Sequence, residues 1–138
     1  MKISEHDVES KVVKYARDKG VLIVKQTHAG ARSHPDRAFY FSGGRLLQIE
    51  FKAPGAKPTV LQSVTIKKLI DLEYTVLIVD DVADGIAIVD FHLEYDGETW
   101  ATEFIVGRIN KALKVCDKVL ARKHKPEPKV VHGRFIKR

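Results

Sequence analysis

One stretch of the sequence decides the fold: residues 35 to 52 read PDRAFYFSGGRLLQIEFK. Residues 37–41 are rich in aromatic side chains, and Ser42-Gly43-Gly44 is a strong signal for a hairpin turn. Residues 45–53 then provide a returning apolar segment. The pattern therefore predicts two antiparallel strands joined by a tight turn.

Antiparallel pairing across this turn brings acidic and basic side chains together. With Arg45 counted in the turn, equal numbers of residues run down to the glycines and back, so Asp36 comes close to Glu50 and Lys52. Glu50 and Lys52 share one face of their strand, because side chains alternate between the two faces. On its own, that pair is equally typical of a half-exposed strand with a weak surface ion pair, worth under about 1 kcal/mol.

Asp36 makes this group chemically more specific. Two carboxylates close to each other repel, and burying them calls for a cation. Mg²⁺ prefers oxygen ligands, and a lysine such as Lys52 beside the metal can position a water for attack on phosphate. The three side chains therefore predict a metal-dependent phosphodiester hydrolase.

The flanking segments predict an α/β chain. Upstream, Ser4 caps a helix that ends at Lys19-Gly20, and residues 21–24 form a short strand followed by a loop. Downstream, Pro58-Thr59 opens a second helix, and the continuous apolar run 76–79 suits a central strand covered on both faces. The sequence has no Rossmann or P-loop pattern.

The C-terminal half has less regular signals. We expect a strand at residues 86–89, a turn at Asp96-Gly97, and a last helix over residues 104–122 that buries Cys116. Residues 123–138 have the composition of a flexible basic tail.

Composition limits the class of protein. A chain of 138 residues is long enough for one domain with a real core. Its single cysteine excludes an internal disulfide and a cysteine-rich zinc site. No apolar run has the length of a membrane span and the first residues lack a signal-peptide core, so we expect a cytoplasmic protein.

Charge is distributed unevenly along the chain. The net charge is +6, yet residues 1–100 carry −2 and residues 101–138 carry +8. Such a basic segment indicates a polyanionic partner such as nucleic acid, although a solvated basic face is equally consistent with it. The predicted last helix presents part of this charge as a stripe at three-to-four-residue spacing, formed by Arg108, Lys111, Lys114, Lys118 and Arg122.

From residue 9 to residue 79 the sequence resembles the VRR-NUC branch of the PD-(D/E)xK nuclease superfamily. The shared features are a glutamate on the first helix, a Pro-Asp-Arg tripeptide, a Gly-Gly-Arg turn, an Ile-Glu-Phe-Lys-Ala-Pro-Gly segment, a glutamine on the second helix and an apolar strand. In order, they are Glu9, residues 35–37, residues 43–45, residues 49–55, Gln62 and residues 76–79.

The resemblance implies a restriction-endonuclease-like core, which is a mixed central sheet flanked by helices, over residues 1–122. A basic C-terminal helix is added to that core, and the tail follows. It also implies a Mg²⁺-dependent endonuclease or exonuclease, in which Mn²⁺ can substitute. The substrates of such enzymes are structured DNAs such as Holliday junctions and flaps, in repair or recombination. Small members occur in bacteria and phages and are often homodimers.

The resemblance further implies roles for the matching residues. Asp36 and Glu50 would be metal ligands together with the main-chain carbonyl of Phe51. Lys52 would position the attacking water. Glu9 would be an auxiliary carboxylate that reaches the metal directly or through water.

Contacts to DNA are the remaining set of predictions. Gln62 would orient the catalytic lysine or a phosphate. Lys25, Arg37 and Lys57 are candidate phosphate contacts, with plain surface charge as the alternative. The stripe of five cations and the tail would grip the DNA backbone without reading its base sequence.

Other functions remain open on the sequence. A non-catalytic DNA-binding protein could keep the fold and use only the basic surface, although such a copy usually loses one of Asp36, Glu50 and Lys52. The chain could also be an RNA nuclease, or a nuclease subunit that needs a partner helicase.

Overall fold

A computed structural model of the chain describes residues 2–27, 33–95 and 102–123. These ranges contain four helices and four strands, and a short 3-10 turn joins the second and third strands. The elements are α1 (Glu5–Asp18), β1 (Leu22–Lys25), β2 (Arg37–Phe41), the turn Ser42–Gly44, β3 (Arg45–Phe51), α2 (Val60–Asp71), β4 (Thr75–Val79), α3 (Val82–Glu94) and α4 (Thr102–Lys123).

The four strands form one mixed sheet in the order β1-β2-β3-β4. The first three strands make an antiparallel meander, and β4 runs parallel to β3. The predicted hairpin is confirmed, with Gly43 and Gly44 both at positive φ in the turn. Arg45 begins the strand, as the predicted returning segment 45–53 has it, and pairs with Phe41, although the residue count across the hairpin had placed it in the turn. This register puts Arg37 opposite Ile49, so Asp36 comes level with Glu50.

Helices cover both faces of the sheet. One face packs against α1 and α3 through a large apolar cluster that includes Val12, Phe39, Ile49 and Ile88. The other face packs against α2 and α4 through a smaller cluster. The predicted α/β fold is therefore confirmed, and its mixed sheet between helices is compatible with a restriction-endonuclease-like core.

The last helix explains how the edge of the sheet is protected. Ile105 near the start of α4 belongs to the larger cluster, whereas Cys116 belongs to the smaller one. The helix therefore crosses over β4 from one helical layer to the other and covers the outer edge of that strand.

The prediction that residues 76–79 form a central strand is wrong in position, since β4 is the last strand in the order of the sheet. The predicted helix at residues 104–122 and the burial of Cys116 are confirmed.

The strand predicted at residues 86–89 is wrong, because this segment lies inside helix α3. Asp81 caps the helix by accepting the Asp84 N–H at 2.8 Å. The buried positions Gly85, Ile88, Val89 and His92 follow helical spacing, which a four-residue apolar window cannot reveal.

Some sequence predictions lie outside the described residues, namely the turn at Asp96-Gly97 and the tail after residue 123. None of the helices in the described ranges combines the length and apolar character needed to cross a lipid bilayer.

Candidate active site

The predicted catalytic residues meet at the end of the sheet where β3 finishes. The Phe51 N–H donates a hydrogen bond of 2.9 Å to Oδ2 of Asp36, which fixes that carboxylate beside the strand end. Nζ of Lys52 lies 3.4 Å from Oε2 of Glu50. The predicted juxtaposition of Asp36 with Glu50 and Lys52 is thus present, while the roles of the three residues stay predictions.

Glu50 is the most unusual residue of this group. It is only 1% exposed, and neither of its carboxylate oxygens has a hydrogen-bond partner in the described part of the chain. The approach of Lys52 counts as an ion pair but lacks hydrogen-bond geometry. The alternative of a half-exposed strand with a weak surface pair is therefore wrong. A buried carboxylate without hydrogen bonds is strongly unfavourable when ionised.

The unfavourable energy of ionising these buried carboxylates is reflected in their raised pKa values. Burial, followed by the nearby charge of Asp36, raises the pKa of Glu50 from 4.5 to about 8, against the opposing effect of Lys52. Burial also raises the pKa of Asp36, and the charges of Glu9 and Glu5 add to the rise, whereas the Phe51 N–H lowers it. One lysine thus leaves the negative charge of the pair only partly compensated.

A divalent cation fits the donor set at this point. Both oxygens of Glu50 and Oδ1 of Asp36 have no hydrogen-bond partner among the described residues, and they are hard ligands of the type that Mg²⁺ prefers. Within the described ranges, no three His, Cys, Asp or Glu side chains converge so as to hold a metal by themselves. Main-chain oxygens, waters or phosphates can complete the coordination, because Mg²⁺ commonly binds through one or two carboxylates plus such groups.

Glu9 and Arg37 form an ion pair next to the site. Nε of Arg37 donates to Oε2 of Glu9 at 2.6 Å, and each side chain is 15% exposed. Glu9 was predicted as an auxiliary metal carboxylate and Arg37 as a phosphate contact. The structure pairs them with each other, while Glu9 stays close enough to raise the pKa of Asp36.

Three polar residues near the site were missed from the sequence. The charge of Glu5 raises the pKa of both Asp36 and Glu50, and its spacing four residues before Glu9 was the available signal. Gln26 donates to the carbonyl of Pro35 at 2.9 Å and to Oε1 of Gln48 at 3.1 Å. These two bonds tie the residue before Asp36 to β3.

Gln62 stabilises the start of helix α2. Its Oε1 accepts the Thr59 N–H at 2.8 Å, while the Thr59 hydroxyl accepts the Gln62 N–H, which completes a capping box at the start of α2. The structure does not place its side chain on Lys52. Its predicted contact with the lysine or a phosphate stays a prediction.

The predicted DNA-binding residues occupy several different places. Lys57 and Lys111 line a small cavity beside Gly55, at the end of the sheet that holds the candidate site. Arg108 is bound to Asp84 on α3 and lies 3.8 Å above the Phe104 ring. The exposed remainder of the α4 stripe is Lys114, Lys118 and Arg122, and Lys25 is exposed at the end of β1.

No family model matches the chain, but comparison with known proteins finds a similar phage protein. The phage protein named "Putative nuclease p44", from Acyrthosiphon pisum secondary endosymbiont phage 1, is 33% identical over 78 residues. The matched region covers 56% of this chain and 84% of the phage protein. The chain therefore belongs to the same family as this phage protein.

Proposed function

We propose that this protein is a divalent-metal-dependent nuclease that hydrolyses phosphodiester bonds in DNA. The observation that carries the proposal is the buried carboxylate of Glu50, which lacks hydrogen bonds and lies next to Asp36 and Lys52. The name of the phage relative supports nuclease activity in general. The resemblance to the VRR-NUC branch supports the metal dependence.

Each residue of the group has a distinct task in this proposal. Asp36, Glu50 and the main-chain carbonyl of Phe51 would hold Mg²⁺ or Mn²⁺, whose charge offsets the charge that builds on the phosphate and lowers the pKa of bound water. The Lys52 ammonium, held beside Glu50, would orient the attacking water by a hydrogen bond. The Phe51 N–H keeps Asp36 in place for this arrangement.

Selectivity for branched DNA is a further part of the proposal. Lys57 and Lys111 flank the catalytic end, and the exposed lysines of α4 continue away from it. Cations on several surfaces suit the recognition of DNA shape through phosphates, which carry no sequence information. We therefore propose four-way junctions and flaps as preferred substrates.

A cleavage assay on a panel of labelled DNAs tests this function. The panel contains a four-way junction, a flap, a single strand and a plain duplex, together with their RNA counterparts, in Mg²⁺ or in EDTA. We expect Mg²⁺-dependent cleavage of branched DNA, and no cleavage by Asp36→Asn. Cleavage that persists in EDTA or in Asp36→Asn would exclude the proposed site, and cleavage of RNA alone would exclude DNA as the substrate.

We also propose that the protein acts as a homodimer. A row of apolar side chains lies exposed on the outer half of the sheet, with Leu22 directly opposite Tyr40 and Val24 beside them. Exposed apolar patches on folded proteins mark interaction surfaces. Light scattering should give a dimer for the wild type and a monomer for Tyr40→Glu, and a monomeric wild type would contradict the proposal.

A further inference from the structure

A charged cleft runs between α1 and the β1–β2 pair, on the side of the sheet away from α2. Its volume of about 320 Å³ lies within the range of ligand-binding clefts. Lys25 and Arg37 are opposite each other in the strand register, so they share one face and lie across from the helix. The full lining is His6, Glu9, Ser10, Val13, Lys14, Arg17, Asp18, Lys25 and Arg37.

One end of this cleft adjoins the candidate active site. Arg37 directly follows Asp36 in the chain, and its partner Glu9 lies close enough to raise the pKa of Asp36. Lys25, at the end of β1, lies at the same end of the sheet as Phe51, at the end of β3. A ligand in the cleft would therefore end beside Asp36, at the same end of the sheet as the site.

The cleft keeps a positive charge after its internal ion pairs are counted. Lys14 pairs with Asp18 at 2.9 Å, and Arg37 pairs with Glu9. Arg17 and Lys25 have no acidic partner among the described residues, so two cations are left over. Cations that line a concave surface reinforce one another's potential and attract anions.

The guanidinium of Arg37 is also arranged to bind an anion. Only its Nε is engaged, by Glu9, and its terminal nitrogens have no hydrogen-bond partner in the described ranges. Glu9 thereby holds the planar group in one orientation, which reduces the entropy lost on binding a ligand. Planar guanidinium groups bind phosphate oxygens through two parallel hydrogen bonds.

The lining indicates which part of a nucleic acid the cleft accepts. Among the described residues that line it, none is Phe, Tyr or Trp, so no large aromatic surface is offered for base stacking. Its polar groups are four cations, a serine hydroxyl, His6, and two carboxylates that are each paired with one of the cations. Cations and hydroxyls are the usual contacts of the sugar–phosphate backbone.

We infer that the cleft between α1 and β1–β2 binds the sugar–phosphate backbone of the DNA strand that enters the active site, with Arg17, Lys25 and Arg37 as the phosphate contacts. The statement that this strand enters the active site rests on the proposed nuclease function. DNA binding in the cleft can be measured without cleavage. It joins Lys25 and Arg37, which the sequence had indicated as phosphate contacts, with Arg17 on α1, which it had not.

Salt-dependent DNA binding tests the inference. We compare Arg17→Gln/Lys25→Gln with the control Lys11→Gln/Lys68→Gln, which removes the same charge from two exposed lysines outside the cleft. Fluorescence anisotropy on a flap DNA in EDTA gives the slope of log K against log salt. Each lost phosphate contact removes about 0.9 from that slope, so the cleft variant should lose about 1.8 and the control should match the wild type. Equal slopes in the two variants would overturn the inference.

A tethered cleavage reagent gives an independent readout. The chain has one cysteine, Cys116, which is fully buried, so Ser10→Cys introduces an accessible thiol inside the cleft. Ser42→Cys, in the turn at the opposite end of the sheet, is the matched control. In an Asp36→Asn background, iron–EDTA attached at position 10 should cut bound DNA, and the reagent at position 42 should not.

The outcomes separate this inference from the proposed function. The inference that the cleft binds DNA would be overturned if the reagent at position 10 did not cut bound DNA, or if both reagents cut it equally. Cutting from position 10 alone would support the cleft even if the wild-type protein showed no Mg²⁺-dependent hydrolysis, a result that would reject only the nuclease proposal.

Discussion

At the scale of single residues, burial determines how favourable an ion pair between a lysine and a carboxylate is. The pair of Lys14 and Asp18 on α1 has a shorter N–O distance, 2.9 Å, yet its side chains are 76% and 63% exposed, and such pairs contribute little. Glu50 and Lys52 are 3.4 Å apart with side chains only 1% and 11% exposed. Low exposure makes an ionised Glu50 unfavourable unless a cation joins it, and this is the physical basis of the proposed metal site.

Lys52→Met should separate metal binding from catalysis. The ammonium is expected to orient water and is no metal ligand, so calorimetric titration with Mn²⁺ should still show binding. Turnover should fall by about 10²–10⁴-fold, as for the loss of a positioned proton-transfer group. A Lys52→Met protein that binds Mn²⁺ no better than Glu50→Gln would contradict this division of roles.

His92 predicts a pH-dependent part of the stability. Its ring is buried between Phe41 and Phe91, and burial lowers its pKa below the usual 6.5, with the charge of Arg45 also lowering it and the carbonyl of Ile88 opposing. The unfolded chain therefore takes up a proton at higher pH than the folded one. The contribution of neutral His92 is complete above pH 6.5 and is lost as the pH falls from there towards the folded pKa, by at most about 1.4 kcal/mol per unit.

Urea unfolding between pH 8 and pH 5 measures this effect against His92→Phe, which keeps an aromatic ring and removes the titration. The wild type should lose more stability than the variant as the pH drops. Parallel curves for the two proteins would contradict the assignment.

The residues of the site were only partly predictable. Asp36, Glu50 and Lys52 could be brought together from the sequence, because a hairpin turn and the alternation of side chains fix local neighbours. Glu5, Gln26 and the pairing of Arg37 with Glu9 could not, because they depend on how α1 packs against the sheet. That packing is a tertiary contact with no short-range signal.

At the scale of elements, the contact between α1 and α3 depends on a glycine. A Cβ at Gly85 would lie 2.6 Å from Cγ2 of Val12 and 3.1 Å from Cγ1 of Val79. Gly85 therefore lets α3 approach α1 closely. A strand at residues 86–89, as first predicted from the sequence, would not have brought Gly85 against Val12 on α1.

Gly85→Ala should destabilise the protein by about 1–3 kcal/mol, as expected for overpacking in a tight core. Val12→Ala removes the closer of the two side chains that the new methyl group would meet. The double variant Gly85→Ala/Val12→Ala should therefore be more stable than the sum of the single changes predicts. Strict additivity in urea unfolding would show that the helices do not meet at this point.

The helices whose N-terminal capping residues stand out in the sequence were predictable, whereas α3 and the position of β4 in the sheet were not. Ser4 and Thr59 cap α1 and α2 by capping boxes that are legible in the sequence. The start of α3 depends on Asp81 alone, next to another aspartate, and its apolar run was too short to distinguish a helix from a strand. The position of β4 at the sheet edge depends on the path of α4, which no local pattern specifies.

At the scale of the whole molecule, the residues of the candidate site lie at one end of the sheet. The ends of β1 and β3 and the start of β2 supply Lys25, Glu50 and Asp36, and the loop after β3 supplies Lys52. The basic cleft lies on the α1 side of this end, while Lys57 and Lys111 lie on the α2–α4 side. A DNA strand that crosses this end could therefore meet phosphate contacts on both sides of the carboxylates.

Paired measurements on Glu50→Gln test the central claim most directly, because the change removes the charge of the buried side chain while nearly keeping its shape. Mg²⁺ titration by calorimetry and cleavage of a four-way junction would be carried out on the same preparation, with DNA binding in EDTA as the control for folding. We predict that Glu50→Gln binds DNA like the wild type but gives no Mg²⁺ binding heat and no cleavage above the EDTA background. Full Mg²⁺-dependent cleavage by Glu50→Gln would contradict the account.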